Sequence, residues 1–555
     1  MAEVTAEQAP QGVKKPASLT TVVAASSAGT AFEWYDFFIF GSLTQVISKT
    51  FFAGLNETAG YIAALALFGA GFAFRPLGAL VFGRIGDRAG RKGAFLATVL
   101  LMGGATFAIA LLPTYAQAGL IAPGLLILMR IVQGFALGGE YGGAAIYVAE
   151  HAPPGQRGWL TSWVQTSAAF GLFAALGVIL VSRMAVGEAA FNAWGWRIPF
   201  AVSAGLLAVS VWMRLKLSES PAFHRVKEAG ETSERPYVEA FGRWGNLKLV
   251  LLAFFSMMSA QGAVWYTSFF YIQVFMEKFL KVDAATINTL MMAATAVSAV
   301  FYCVFGWLSD KIGRKAVMLG GMTLALAFYF PGFHLLERAA NPALAEASAA
   351  TPVTVSADPA GCALQFDPVG KAAFVSSCDI AKSVLANAGV SYANQAAPAG
   401  APTLIKVGGA TVVSRDARGL DKAAAKTVKA RVEGEIKAAL LKAGYPAKAD
   451  PARMNMPAML GVLFVFVVAA TALFGPLAAC LVELFPTRIR YTALSLPYHI
   501  GTGWVGGFVP FTAFAIVAAT GNIYSGLWYP AAFTALSVLT TLFFLPETRR
   551  RSIDA

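Results

Sequence analysis

The chain has 555 residues, of which 57% are hydrophobic and 13% charged, and its mean hydropathy is +0.61. This balance excludes a water-soluble globular protein and points to an integral membrane protein. The net charge of +13 would suit a nucleic-acid binder, but Lys and Arg gather in short runs beside apolar segments, as they do in membrane proteins.

A membrane-spanning helix needs about 20 mostly apolar residues. Twelve windows qualify, at 20–48, 59–83, 93–112, 120–149, 159–182, 194–215, 247–275, 285–308, 316–336, 457–482, 492–518 and 526–546. The polar stretch Met1–Thr20, with Lys14 and Lys15, is not a cleavable signal, so the first span is expected to act as its own insertion signal. The basic runs GRIGDRAGRK (83–92), SDKIGRK (309–315), TRIR (487–490) and TRRR (548–551) follow windows two, eight, ten and twelve. In a chain that simply weaves, all four lie on one side. The positive-inside pattern makes that side, and both termini, cytoplasmic.

Residues 338–454 interrupt the pattern between windows nine and ten and fall outside the cytoplasm by parity. Their excess of Lys and Arg does not contradict this, because loops beyond about 60 residues translocate largely regardless of charge. TLIKVGGATVVSR (403–415) reads as two strands around a Gly-Gly turn, and 420–444 reads as a helix ending in Gly. The expectation is a small α+β extracytoplasmic domain. Cys362 and Cys378 form a possible disulfide there, which an oxidising compartment permits, while Cys303 and Cys480 in the spans are packing thiols.

The motif after window two recurs after window eight as GWLSDKIGRK (306–315), and EHAPPGQRG (150–158) after window four is echoed by ELFPTRIR (483–490) after window ten. The fold expected is therefore an all-α membrane protein of twelve helices in two pseudo-symmetric six-helix bundles, plus the insert. The divisions are a tail (1–19), an amino-terminal bundle (20–215), a central loop (216–246), three helices (247–337), the insert (338–454), three helices (455–546) and a tail (547–555). Two repeats around a midplane site are a common carrier design.

These motifs resemble the major facilitator superfamily and, within it, the metabolite:proton symporter branch. The superfamily's loop motif is matched by Gly83, Asp87, Arg88, Gly90, Arg91 and Lys92 and again by Asp310, Lys311, Gly313, Arg314 and Lys315. The branch is indicated by EWYDFFIFG (33–41), FAFRPLGALVFGRIGDRAGRK (72–92), RIVQGFALGGE (130–140) and SESPAF (218–223), with LPET (545–548) a looser echo. The resemblance covers both halves but not 338–454. It implies a proton-driven importer of a small polar metabolite in the bacterial inner membrane, and leaves the substrate open among organic acids, shikimate, proline and betaine.

Glu33 and Asp36 lie three apart in an otherwise apolar run, on one face of a helix. A charge at a helix centre costs about 2.5–3.5 kcal/mol, and a buried carboxyl can load and release a proton near neutral pH. These two are the proton-coupling candidates, Asp36 first; the alternative is a hydrated or structurally paired acid. AFEWYDFF aligns with GAVWYTSFF (262–270) of the seventh span, so Trp34 and Tyr35 match Trp265 and Tyr266, whereas the acids face Val264 and Thr267. Proton handling is therefore expected in the amino-terminal half alone.

In the fourth span Arg130, Gln133, Leu137, Glu140 and Tyr141 share a face, and Gly134, Gly138 and Gly142 form a separate stripe for close helix packing. Arg130 is expected to point into a cavity as the partner of a substrate carboxylate or a coupling acid, against a static pair with Glu140. Arg75 is the second such candidate, against a snorkelling role beside Pro76. Tyr35, Gln165, Gln261, Trp265, Tyr266, Gln273, Tyr498 and His499 are further candidates for the cavity wall. The repeated loops suggest a cytoplasmic gate of Gly83, Asp87, Arg88, Arg91, Lys92, Glu150, Arg157, Asp310, Arg314, Lys315, Glu483 and Arg488, against plain topogenic charge.

No phosphate loop, HExxH or cysteine pair at metal spacing is present, so no enzyme activity, metal or cofactor is expected. The leading reading is a proton symporter for a small carboxylate, working as a monomer on a metabolite and protons in the lipid bilayer, without nucleic acid. Its rivals are a zwitterion or osmolyte symporter, a drug:proton antiporter and a membrane sensor built on a carrier fold.

Overall fold

The computed structural model describes residues 18–53, 71, 73–365 and 374–553. Most of the second window (59–83) and the ends of both tails lie outside the described residues.

The first window is a helix from Leu19 to Ser42 (α1), followed after Leu43 by a short helix, Thr44–Phe51, rather than one continuous span. Thr44 Oγ donates to the Gly41 carbonyl at 2.7 Å, marking the break. Next come Arg75–Arg88 (α2), Arg91–Leu111 (α3), Ile121–His151 (α4), Arg157–Val186 (α5) and Arg197–Leu215 (α6). The carboxy-terminal half has Trp244–Phe279 (α7), Ala284–Ile312 (α8) and Arg314–Ala340 (α9), and, after the insert, Met456–Leu484 (α12), Thr487–Thr520 (α13) and Ser525–Phe544 (α14). Ten helices among the described residues are long and apolar enough to cross a membrane. α7 contains π-helical turns at Phe254–Met258, Thr267–Tyr271 and Phe275–Phe279, and α13 contains one at Ile500–Gly506.

Within the first half α1 packs on α5, and α4 packs on α2 and α3; within the second, α12 packs on α8 and α9, and α7 on α13. The halves meet through α5 against α8 and α2 against α13. The glycine stripe serves this packing: a Cβ on Gly134 would lie 2.1 Å from the Gly71 carbonyl oxygen, and one on Gly138 2.2 Å from that of Arg75, so α2 and α4 touch backbone to backbone. Gly142 faces Tyr491 and Ser495 of α13 instead.

The insert opens with a helix, Pro342–Ala350, started by the Asn341 side chain, which accepts from the Leu344 amide. Strands Val353–Ala357 (β1), Tyr392–Ala396 (β2), Leu404–Val407 (β3) and Ala410–Val413 (β4) form one sheet in the order β2-β1-β3-β4. β1 runs parallel to β2 through helix Ser377–Asn387 (α10), and β3 and β4 form a hairpin around Gly408 and Gly409. Helix Lys422–Lys442 (α11) packs against this unit with Val432, Ile436 and Leu440 buried. Cys362, after β1, is joined to Cys378, in the first turn of α10.

Candidate functional site

A cavity lies between the halves, walled by Thr30, Glu33, Trp34 and Phe37 of α1, Arg75 of α2, Leu137 and Tyr141 of α4, Gln261, Trp265 and Tyr266 of α7, Phe474 of α12, and Tyr498, His499 and Thr502 of α13. Its water-accessible volume of about 40 Å³ has room for about two or three waters. Anything larger than a few waters enters only if the halves part. Trp34 and Trp265, matched by the sequence repeat, stand 6.0 Å apart between ring centroids. Trp265 Nε1 donates to Tyr302 Oη at 2.9 Å, and Tyr141 stacks on Tyr498 at 3.8 Å while accepting from Gln165 Nε2 at 2.6 Å. Among the described residues, Glu33 Oε2, Gln261 Oε1 and both ring nitrogens of His499 are buried without a hydrogen-bond partner. These polar atoms border a space that must at some stage be filled by something polar.

A second cavity lies inside the first half, between α1, α3, α4 and α6, and its walls include Glu33, Asp36, Glu140, Ser203 and Ser210. Glu33 borders both cavities; Asp36 borders only this one. Glu140 is not paired with Arg130. It takes Arg214 of α6 in a fully buried ion pair and accepts from Thr98 Oγ at 2.6 Å. Arg214 also donates to the Phe95 carbonyl at 2.7 Å and lies 3.5 Å over the Phe95 ring.

Several expected wall residues stand elsewhere. Arg130 lies 4.1 Å over the Phe40 ring and donates to Gln133 Oε1 at 2.9 Å, and Gln133 Nε2 donates to Thr106 Oγ at 2.7 Å. Tyr35 Oη donates to the Pro199 carbonyl at 2.8 Å, and Gln273 bonds back to Phe269 of its own helix. Arg130, Gln133 and Glu140 of the α4 stripe thus face their own bundle, whereas Leu137 and Tyr141 reach the central cavity. Helical spacing shows that side chains share a face and is silent on which neighbour that face meets. Arg75, the second candidate, is the arginine in the central wall.

At the end carrying the basic loops, two matching networks close the halves together. Asp87 pairs with Arg91 at 2.5 Å and accepts from the Tyr491 and Thr492 amides, at 3.1 and 2.8 Å, near the start of α13 in the opposite half. Asp310 pairs with Arg314 at 2.6 Å and accepts from the Gly158 and Trp159 amides, at 3.0 and 2.7 Å, at the start of α5. Each carboxylate satisfies amides that a helix start leaves open and faces the positive end of its dipole. Arg490 crosses to Glu150 at 2.6 Å, and Arg157 crosses to Glu483 at 3.6 Å, with Arg314 on the same carboxylate at 3.1 Å. Glu219 accepts from the Arg91 and Lys92 amides, and Glu547 from those of Arg314 and Lys315. Gly90 and Gly313, at φ +119° and +111°, let these carboxylates approach; a Cβ at either place would lie within 2.4 Å of one. Gly83 meets the Thr492 backbone closely. The tail joins in, since the Arg551 carbonyl accepts from Arg157 and the Ile553 carbonyl from Arg490.

Residues 21–241 and 437–555 match the family described as "Sugar (and other) transporter", and residues 144–357 match "MFS/sugar transport protein". The chain belongs to the sugar (and other) transporter family. Its place in the major facilitator superfamily agrees with the resemblance of its motifs. It is 34% identical over 325 residues to the proline/betaine transporter of Salmonella typhimurium, covering 58% of this chain and 65% of that protein, slightly under two thirds of its length. It is also 34% identical over 322 residues to the alpha-ketoglutarate permease of Escherichia coli, covering 58% and 72%. A solved proton:xylose symporter superposes with a TM-score of 0.62 at 15% identity, covering 97% of this chain and 98% of that one, a likeness of fold alone.

In this transporter-family member, the loop-motif residues divide by exposure. Arg88 is exposed, Lys92 and Lys315 donate to the Leu215 and Leu542 carbonyls, and Arg488 pairs at 3.2 Å with Glu239 of the central segment. Of the two arginines in TRIR, the one that crosses the interface to Glu150 is Arg490, not Arg488. Its signal was in the sequence: Arg157 stands seven residues after Glu150, and Arg490 seven after Glu483. Arg214 had no such signal, because its partner lies 74 residues away on another helix.

Proposed function

We propose that this protein is a proton-coupled secondary carrier that imports a small carboxylate-bearing metabolite by alternating access. The observation that carries the reading is Glu33, one carboxyl bordering both the central cavity and the inner cavity, with a buried oxygen free of any partner among the described residues. A proton on Glu33 removes a negative charge from the wall that also carries Arg75, so that a substrate carboxylate is received there more readily. The paired networks at the basic end hold that end shut and must break for release. In this reading Asp36 stands behind Glu33 as the proton's inner station. The chain spans the bilayer twelve times in two six-helix bundles, with the basic end and both termini cytoplasmic and the insert outside.

The cavity's rings favour a second reading for the substrate. Trp34, Tyr141, Trp265, Tyr266, Phe474 and Tyr498 surround it, and aromatic faces attract quaternary ammonium groups. A zwitterion with its carboxylate on Arg75 and its cation among the rings fits, and the proline/betaine transporter relative supports that class.

Uptake into proteoliposomes of radiolabelled organic acids, proline and betaine, with and without an imposed pH gradient, tests both readings. Gradient-dependent uptake of an acid supports the first, and that of betaine the second. Uptake that ignores the gradient, with Glu33→Gln silent, overturns the coupling.

A further inference from the structure

The insert touches the membrane helices in a restricted way. Among the described residues, its hydrogen bonds to the helical body all run to the carboxy-terminal half. Four bonds or contacts hold the end of α7: Lys281 Nζ donates to the Asn387 carbonyl, the Ala449 amide to the Lys281 carbonyl at 3.1 Å, and Asn341 Nδ2 to the Leu280 carbonyl at 2.9 Å. The fourth is Gly389, where a Cβ would lie 1.9 Å from the Phe279 carbonyl oxygen. A few residues further on, the same segment grips the end of α13. The Tyr392 amide donates to the Gly521 carbonyl at 2.7 Å, Tyr392 Oη to that of Ala518 at 2.5 Å, and Asn394 Nδ2 to that of Thr520 at 2.8 Å. Gly521 is as close, since a Cβ there would lie 2.2 Å from the Tyr392 oxygen.

α7 and α13 are the helices through which this half supplies Gln261, Trp265, Tyr266, Tyr498, His499 and Thr502 to the central cavity. Both are interrupted by π-helical turns between the cavity and the insert end, at 267–271 and 275–279 in α7 and at 500–506 in α13. Such turns are where helices bend. Untied, the end segments of α7 and α13 would be able to swing separately over the cavity.

We infer that the insert is a brace: the segment Asn387–Asn394 ties the ends of α7 and α13 to each other, so that this half closes over the cavity as one body. The inference rests on the carrier reading for its purpose, though not for its geometry. The disulfide holds the first turn of α10, and the grips on α7 and α13 begin at that helix's far end. A bent α7 alone would open or shut the insert end without any change in the networks at the basic end, which is a leak. The brace removes that motion.

The insert can be excised cleanly, because the Asn455 amide donates to the Ala339 carbonyl at 2.8 Å and the two ends of the cut already meet. The test uses the full-length protein in lipid nanodiscs, with Cys303→Ala and Cys480→Ala, and spin labels at Lys278→Cys on α7 and Phe511→Cys on α13. Pulsed electron-spin distances are expected to show one narrow population, unchanged between neutral and acid pH. Gly389→Val, which wedges the α7 contact, Gly521→Val, which wedges the α13 contact, and replacement of 343–453 by a short Gly-Ser linker are each expected to broaden it. Should a wedge unfold the insert, it becomes equivalent to the excision, whose distance still decides. An unchanged narrow population after excision overturns the brace, as does a distance in the unaltered insert that shifts between neutral and acid pH.

A second arm reads transport in proteoliposomes of whichever panel compound the unaltered protein accumulates. Excision is expected to leave exchange intact and to lower gradient-driven accumulation by about threefold. Undiminished accumulation overturns the coupling role. If no compound is accumulated, the carrier reading fails and the distances alone judge the brace.

Discussion

The two halves agree at their basic ends and differ in their interiors. At the basic end Asp87, Arg91, Glu150, Glu219 and Arg490 do what Asp310, Arg314, Glu483, Glu547 and Arg157 do, down to the amides that the two aspartates, Glu219 and Glu547 receive. Carried inward at the same spacing, the match fails at every charge. Twelve residues before Asp87 stands Arg75, and twelve before Asp310 stands Ser298. Ten residues before Glu150 stands Glu140 and twenty before it Arg130, whereas Leu473 and Leu463 hold those places before Glu483. Five before Glu219 stands Arg214, and five before Glu547 stands Leu542. A closure between two halves is gripped from both sides, and both copies keep the residues that make it. A buried charge is costly in a membrane, and one set suffices.

The sharpest way to break this comparison is to remove a charge that only one half has. Arg214→Ala leaves the buried Glu140 without its cation, with only Thr98 still donating to it, and is expected to cost about 3–5 kcal/mol of stability, read by denaturant unfolding in detergent. The double change Arg214→Met with Glu140→Leu, which gives this half the apolar character of the other, is expected to recover most of that loss. If the single change is harmless, the pair is not the buried element described.

Next in size is the acid proposed for coupling. Glu33→Gln is expected to lower gradient-driven accumulation by about 100-fold and Asp36→Asn by about 5-fold, the two ends of usual coupling strengths. Thr267→Val, at the place in α7 that matches Asp36, is expected to be silent. The reverse order of the two acids would move proton loading from the shared wall to the inner cavity.

The symmetric part is tested by equality. Asp87→Asn and Asp310→Asn each weaken a carboxylate that receives two helix-start amides, and each is expected to destabilise the closed basic end by about 2 kcal/mol. The readout is the rate at which a thiol reagent applied from that end labels Gln261→Cys. A large effect from one aspartate and none from the other would show that the gate is not shared.

How much of this was legible from the chain depends on the scale of the signal. Long apolar runs and the repeated loops DRAGRK (87–92) and DKIGRK (310–315) specify helices and their pairing locally, so most of the described spans and the matching loops follow from the sequence. The Gly408–Gly409 hairpin and α11 were equally plain, being set by turn glycines and by Asp421, whose side chain caps the helix. The break at Leu43 was missed because apolar composition hides a one-residue interruption. Asp36 ranked above Glu33 because a shared helical face does not say which residue borders the partner bundle; that depends on how α1 is rotated against α5 and α7. Arg130 was aimed at the cavity for the same reason. The repeat aligns Trp34 with Trp265, and the two rings stand 6.0 Å apart, as equivalent residues near a pseudo-twofold axis do.

The smallest expected effect concerns the insert, which has no counterpart in the amino-terminal half. Lys281, between α7 and α8, gives its ammonium to the Asn387 carbonyl in the brace. Burial there, with the charges of Lys278 and Lys437 nearby, lowers its pKa from the usual 10.5 to about 8. A lysine whose pKa is lowered on docking binds fewer protons docked than free, so docking strengthens as pH rises from about 8 toward 10.5 and weakens as pH falls through that window. The distance between labels on α7 and α13 is therefore expected to narrow slightly at alkaline pH. Lys281→Met removes the titrating group and should abolish that dependence, leaving a narrow distance at every pH. Persistence of the alkaline narrowing in Lys281→Met would place its source elsewhere in the insert, with Lys382, which burial also shifts downward and which donates to the Ala519 carbonyl, the next group to change.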